Sequence, residues 1–143
     1  MAQAFAPAVA AFVAERRVGY LATVLPDGGP HVVPISTVLD LDRLIFASQT
    51  DTQKIRNIQG FPRVAVAYDE YNEDWSLLKQ VVVRGRAMIL DRGFEYERDR
   101  QLLYDAFPQY ERESPILEDD SVIVEITIDR VSSWGIEAGA RLR

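Results

Sequence analysis

The sequence predicts a mostly β fold: a small barrel of six or so mainly antiparallel strands with short helices, one domain over residues 1–143. Three observations carry this prediction. Short runs of strand-forming residues alternate with turns rich in Gly, Pro and Asp. The longest run is interrupted by Gly85, as the bend or bulge of a closing barrel requires. No repeat, low-complexity tract or linker divides the chain into two cores.

Taken in order, Phe5, Val9, Phe12 and Val13 recur at helical intervals and predict an amphipathic opening helix. Val18 to Leu25 is a first strand, stopped at Pro26-Asp27-Gly28-Gly29, whose glycines supply positive φ for a tight reversal. His31 to Val38 resumes as a second strand. Pro34 has no amide proton, which places it at a sheet edge or a bulge. Leu39 to Asp42 turns into a third strand, Arg43 to Ser48. A short helix from about Thr52 to Ile58 is expected next, capped by Thr50 or Asp51 and ended by Gly60 and Pro62. Arg63 to Tyr68 and Lys79 to Leu90 are strands four and five, joined by a polar and aromatic loop. Leu102, Leu103 and Ala106 give helical spacing within Phe94 to Phe107. Ser121 to Val131 is the last strand, with Val122, Val124, Ile126 and Ile128 on one face.

Composition then narrows the chemistry. The chain has no cysteine, which excludes thiolate nucleophiles, Cys-ligated zinc and disulfides. It has one histidine, so a multi-His metal site cannot form within one copy, and no metal is expected. Sixteen basic residues against 22 acidic give a net charge of −6, which opposes binding to a nucleic-acid backbone. The N-terminus lacks a basic leader, and its apolar stretch meets Glu15-Arg16-Arg17 too soon for a membrane span; a cytoplasmic protein is expected. No spacing suggests an acyl-transfer triad or a carboxylate pair. Reactivity must come from hydroxyls, carboxylates, guanidiniums, two lysines or a borrowed cofactor.

Several residues stand out, each with two readings. Ser48, Gln49, Thr50, Thr52 and Lys54 crowd donors around a helix start, where free N–H groups favour a phosphate. The commoner reading of the same residues is a cap and a solvated lysine, which Asp51 favours because its carboxylate would compete with an anion. His31 follows Pro30 at a strand start with no partner carboxylate, so it is not assigned as a catalyst. Asp69, Glu70, Glu73 and Asp74 lack calcium-loop spacing and read as a solvated loop. Trp75 either covers a flat ligand or caps the barrel. Arg84 and Arg86 share one side of their strand, to pair with carboxylates or to meet an anion. Trp134 leaves the last strand as core packing or as part of a cleft.

Four stretches together resemble the pyridoxamine 5′-phosphate oxidase-like split β-barrel flavin and deazaflavin oxidoreductases. These are Gly19-Tyr20-Leu21-Ala22-Thr23-Val24 with Asp27-Gly28-Gly29-Pro30-His31-Val32-Val33-Pro34-Ile35; Leu44 to Ser48 with Lys54-Ile55-Arg56-Asn57-Ile58 and Pro62-Arg63-Val64-Ala65; Glu73-Asp74-Trp75-Ser76 with Val83-Arg84-Gly85-Arg86-Ala87; and Ser133-Trp134-Gly135. The last two are most similar to a subgroup presumed to use coenzyme F-420. The resemblance implies an FMN-binding-like split barrel and a homodimer that holds FMN or F-420 between subunits. It would transfer hydride to or from a small organic substrate. Lys54, Ser48, Gln49 and Thr50 would hold phosphate, and Val33, Pro34, Ile35 and Ser36 would line the ring. Trp75, Arg84 and Trp134 would complete the cleft. Gln53 stands where some relatives are basic, and the chain ends without the histidine-containing motif of the oxidase itself. Because relatives on this barrel bind flavin or haem, a non-catalytic binding or sensing protein is the alternative reading.

Overall fold

The computed structural model describes residues 5–136. Its elements run α1 (Pro7–Glu15), β1 (Gly19–Val24), β2 (Pro30–Ile35), β3 (Val38–Asp40), β4 (Arg43–Gln49), α2 (Gln53–Gly60) and β5 (Arg63–Glu70), then a 3₁₀ turn (Trp75–Leu77). They continue through β6 (Lys79–Leu90), α3 (Phe94–Ala106), α4 (Gln109–Glu113) and β7 (Ser121–Trp134). Every strand pairing is antiparallel, in the order β2-β1-β5-β6-β7-β4-β3. The sheet is not closed: β2 and β3 remain edges. Pro34 sits on such an edge strand, where its missing amide proton costs no ladder bond.

Three expectations change. The second strand stops at Ile35, and Val38–Asp40 forms a seventh strand on β4. The break falls at Thr37, whose buried hydroxyl is 2.6 Å from the Tyr68 hydroxyl. The last strand runs on to Trp134, lengthened by its pairing with β6. Neither Thr50 nor Asp51 caps α2. Thr52 is the N-cap and makes no side-chain cap bond. The Thr50 N–H donates to the Asp120 carbonyl at 3.0 Å, and the Asp51 carboxylate accepts from Arg56.

One face of the sheet curls around the main core. Leu21, Phe46, Val66, Val83, Val124 and Ile126 meet there, with Val9 and Phe12 of α1 and Ile55 and Ile58 of α2. The other face is divided. Over β7 and β4 it is covered by α3 and the segment after α4, which bury Ile45 and Ile123 against Tyr96, Leu103 and Ile116. The start of β7 is therefore buried on both faces, which explains its near-continuous apolar run. Over β2, β1, β5 and β6 no element covers that outer face among the described residues: Val32 is 61% exposed and Tyr20 45%.

Gly85 marks an irregularity between β6 and β7. Arg84 pairs with Arg130 and Gly85 with Ile128, so Asp129 is the extra residue of a bulge. A Cβ at Gly85 would meet the Thr127 carbonyl oxygen at 2.1 Å, so only glycine permits the approach.

Candidate functional site

The corner between β4 and α2 collects the largest share of the predicted site residues. Pairing of Ser48 with Val122 and Gln49 with Ser121 fixes the end of β4. The buried Ser48 hydroxyl donates to the Gln49 carbonyl at 2.9 Å and lies 3.1 Å from the Thr52 hydroxyl. Ile55 and Ile58 anchor α2 in the core. A polar chain locks its rotation: Gln53 Nε2 donates to Asn57 Oδ1 at 2.7 Å, and Asn57 Nδ2 donates to Thr23 Oγ1 at 3.0 Å. Asn57 and Thr23 are both buried, so this bond is worth more than a surface one.

Lys54 lies in the first turn of α2, half-buried, and has no hydrogen-bond or ion-pair partner among the described residues. Burial pulls its amine below the ordinary lysine range. An unpartnered, partly desolvated ammonium gains strongly from an anion. The first turn of α2 carries no acidic residue, so its free N–H groups and the helix dipole add to the effect. Asp51, the expected competitor, is 96% exposed and held at 2.6 Å by Arg56. The corner therefore fits a phosphate.

The remaining predicted residues do not gather at this corner. Ile35 is buried in the barrel core and Val33 packs against it, whereas Pro34 projects outward beside its register partner Tyr20. Ser36 faces α4 and lines a 200 Å³ cavity with Phe107 and Tyr110. Trp75 is 63% exposed, its indole N–H donating to the Tyr71 hydroxyl at 3.3 Å, so it does not cap the barrel. Arg84 stands on the open outer face. Trp134 pairs with Gln80 and lines a 590 Å³ groove with Ser132 and Ser133. Gly135 permits that exit, with φ at +79° and a Cβ that would fall 2.0 Å from the Leu78 carbonyl oxygen.

Sequence reasoning missed two features. One is the Gln53–Asn57–Thr23 chain; its only signal in the sequence is the i, i+4 spacing of Gln53 and Asn57 within α2. The other is a 670 Å³ pocket on the outer face lined by Arg63, Arg84 and Arg130. His31 lies beside Thr23 in the β1–β2 register, and its buried Nδ1 has no partner among the described residues. Those residues contain no group of His, Asp or Glu side chains able to hold a metal ion. They also contain no helix long and apolar enough to cross a membrane.

No curated protein matches the chain. Solved structures do. An F420 reductase superposes with a TM-score of 0.69 at 28% identity, covering 85% of this chain and 94% of that one. An FAD-binding protein from Mesorhizobium loti gives 0.74 at 26% identity, covering 93% and 96%. The heme storage protein HutZ from Vibrio cholerae gives 0.75 at 18% identity, covering 90% and 92%, a likeness of fold alone. The profile of the pyridoxamine 5′-phosphate oxidase family matches residues 5–135, nearly the whole chain. With its split, antiparallel sheet, this chain belongs to that family.

Proposed function

We propose that the protein is a cytoplasmic oxidoreductase that binds a flavin-type cofactor, coenzyme F-420 or FMN, and exchanges hydride with a small organic substrate. The observation that carries this reading is the β4–α2 corner. An unpartnered, half-buried Lys54 stands in the first turn of α2, which carries no carboxylate, just after the end of β4, where the Ser48 and Thr52 hydroxyls lie 3.1 Å apart. Those residues would hold the phosphate, and the segment from Pro34 through Ile35, the end of β2, to Ser36 would run past the ring, offering it backbone groups and an apolar wall. When bound, the ring supplies the redox chemistry; the chain supplies binding, orientation and exclusion of water.

A homodimer belongs to the same proposal. At the end of the open outer face away from the β1–β2 turn, exposed Tyr20, Val32 and Pro34 lie with the small residue Ala67, an apolar patch that a second copy would cover. The F420 reductase and FAD-binding neighbours support the cofactor class. The alternative is a flavin- or haem-binding protein without turnover.

The test is an absorbance spectrum of the purified protein, then separate titrations with FMN and F-420. Binding of one at micromolar concentration, with oxidation of its reduced form by some member of an acceptor panel, is the expected result. If neither binds, the reading fails. Binding without oxidation by any acceptor transfers the assignment to the non-catalytic alternative.

A further inference from the structure

The open outer face carries a second feature, separate from the β4–α2 corner. Antiparallel register places Arg63 of β5 opposite Arg86 of β6, and Arg84 of β6 opposite Arg130 of β7. Directly opposed residues on one face have Cβ atoms only about 5 Å apart, and like charges there destabilise a sheet. In a chain of net charge −6, carboxylates are in surplus, yet the face is not neutralised. Arg63, Arg84 and Arg130 have no ion-pair partner among the described residues. Among the described residues Asp129 alone approaches the group, 4.0 Å from Arg86.

Alternation would not bring Arg130 here. Thr127 faces outward and Ile128 inward; regular pleating would put Asp129 outward and Arg130 into the core. The bulge at Arg84/Gly85 inserts one residue, so Arg130 returns to the outer face opposite Arg84. Three guanidiniums then line a 670 Å³ pocket together with Asp129, Phe61 and the Gly28 turn. That volume suits a metabolite-sized molecule. Ser48, Gln49, Thr50 and Lys54 do not line it.

We propose that Arg63, Arg84 and Arg130 form a second anion site, which takes a small molecule bearing two or more phosphate or carboxylate groups. Planar guanidiniums on adjacent strands present paired N–H donors to such oxyanions, and the bound charge relieves their mutual repulsion. Phe61, 45% exposed at the pocket wall, offers a face for the rest of the ligand. This assignment does not depend on the flavin reading, because it needs no cofactor.

Isothermal titration of the apo-protein with inorganic pyrophosphate, and separately with citrate, tests it. At least one should bind, and the pair separates phosphate from carboxylate ligands. The double variant Arg84→Gln/Arg130→Gln should bind at least about tenfold more weakly, the loss expected for charge-assisted contacts. Its unliganded melting temperature should exceed that of the native protein, since opposed like charges are gone; solvated surface arginines would leave both readouts unmoved. The proposal is overturned if neither anion binds at millimolar concentration, or if sodium chloride at matched ionic strength displaces both completely. It also falls if the double variant binds as well as the native protein, or if Lys54→Ala rather than the arginine pair abolishes binding. FMN titration in parallel keeps the two sites apart: its failure with pyrophosphate still bound condemns only the flavin reading.

Discussion

Replacing Gly85 by alanine should destabilise this protein far more than an ordinary small substitution does. The new Cβ would lie 2.1 Å from the Thr127 carbonyl oxygen and 2.9 Å from Ile126 Cγ2, whereas real Cβ contacts essentially never fall under 3.0 Å. The oxygen is backbone on the neighbouring strand, so no side-chain rotation relieves the overlap. β7 must retreat by about 1 Å, and the ladder around Thr127 is held on both sides, by Arg86 and by Arg43. Losing two ladder bonds at about 1 kcal/mol each and overpacking the core at about 1–3 kcal/mol gives a cost of roughly 3–5 kcal/mol. For a domain of this size that lowers the melting temperature by roughly 10–20 °C. Gly60→Ala is the control: nothing lies within 4 Å of its Cβ position at the end of α2, and the change should stabilise by up to about 1 kcal/mol. Thermal melts of the two variants decide the matter. A Gly85→Ala protein that melts within a few degrees of the native one would refute the argument that the bulge requires glycine.

Three further outcomes follow. Lys54→Met should weaken FMN or F-420 binding by roughly 10–100-fold while leaving the melting temperature of the apo-protein unchanged or raised, because the amine has no partner to lose; unchanged affinity in a fluorescence titration would remove Lys54 from the site. Asp99 is fully buried on α3, and burial, then its hydrogen bond with Glu125, push its carboxyl up to about 7 against the opposing effect of Arg98. Its native form holds a proton that the unfolded chain has released, so stability falls as pH rises between about 5 and 7 and levels off above. Glu125 does not act in this window: burial alone would raise it, but Asp99, Arg43 and Arg98 outweigh burial and hold it low. Denaturation midpoints across pH 5–8 should show a slope that Asp99→Asn removes; equal slopes in both proteins would contradict the assignment. Tyr68→Phe should cost about 1–2 kcal/mol in a urea titration, since it leaves the buried Thr37 hydroxyl without its 2.6 Å partner; a neutral result would mean that Thr37 finds another partner.

Much of this was legible in the sequence because it rests on local rules. Strand formers between turn residues marked β1, β4, β5 and β6, and the Gly28-Gly29 pair marked the hairpin whose Leu25 N–H donates to the Gly29 carbonyl at 2.8 Å. Pro34 announced an edge because a missing donor is a property of the residue itself. The start of α2 was legible as a cluster of donors around Lys54. Whether those donors cap the helix or await an anion was not, because the answer lies in where Asp51 turns and whether Arg56 reaches it.

What tertiary structure alone decided concerns partners that no local pattern names. Helix α3 folds over half of the outer face, which turns the early part of β7 into a strand buried on both sides and leaves the other half of that face open. The Gln53–Asn57–Thr23 chain ties a helix to a strand over 34 residues of sequence. Arg130 is the clearest case. The sequence determined that Ile126 and Ile128 face the core, and the period-2 rule would have carried Arg130 in behind them. The close approach of Thr127 to Gly85 adds one residue to β7, and that single step turns a guanidinium from the core toward Arg63 and Arg84. Periodicity is a property of one strand, but its phase is set by the strand beside it.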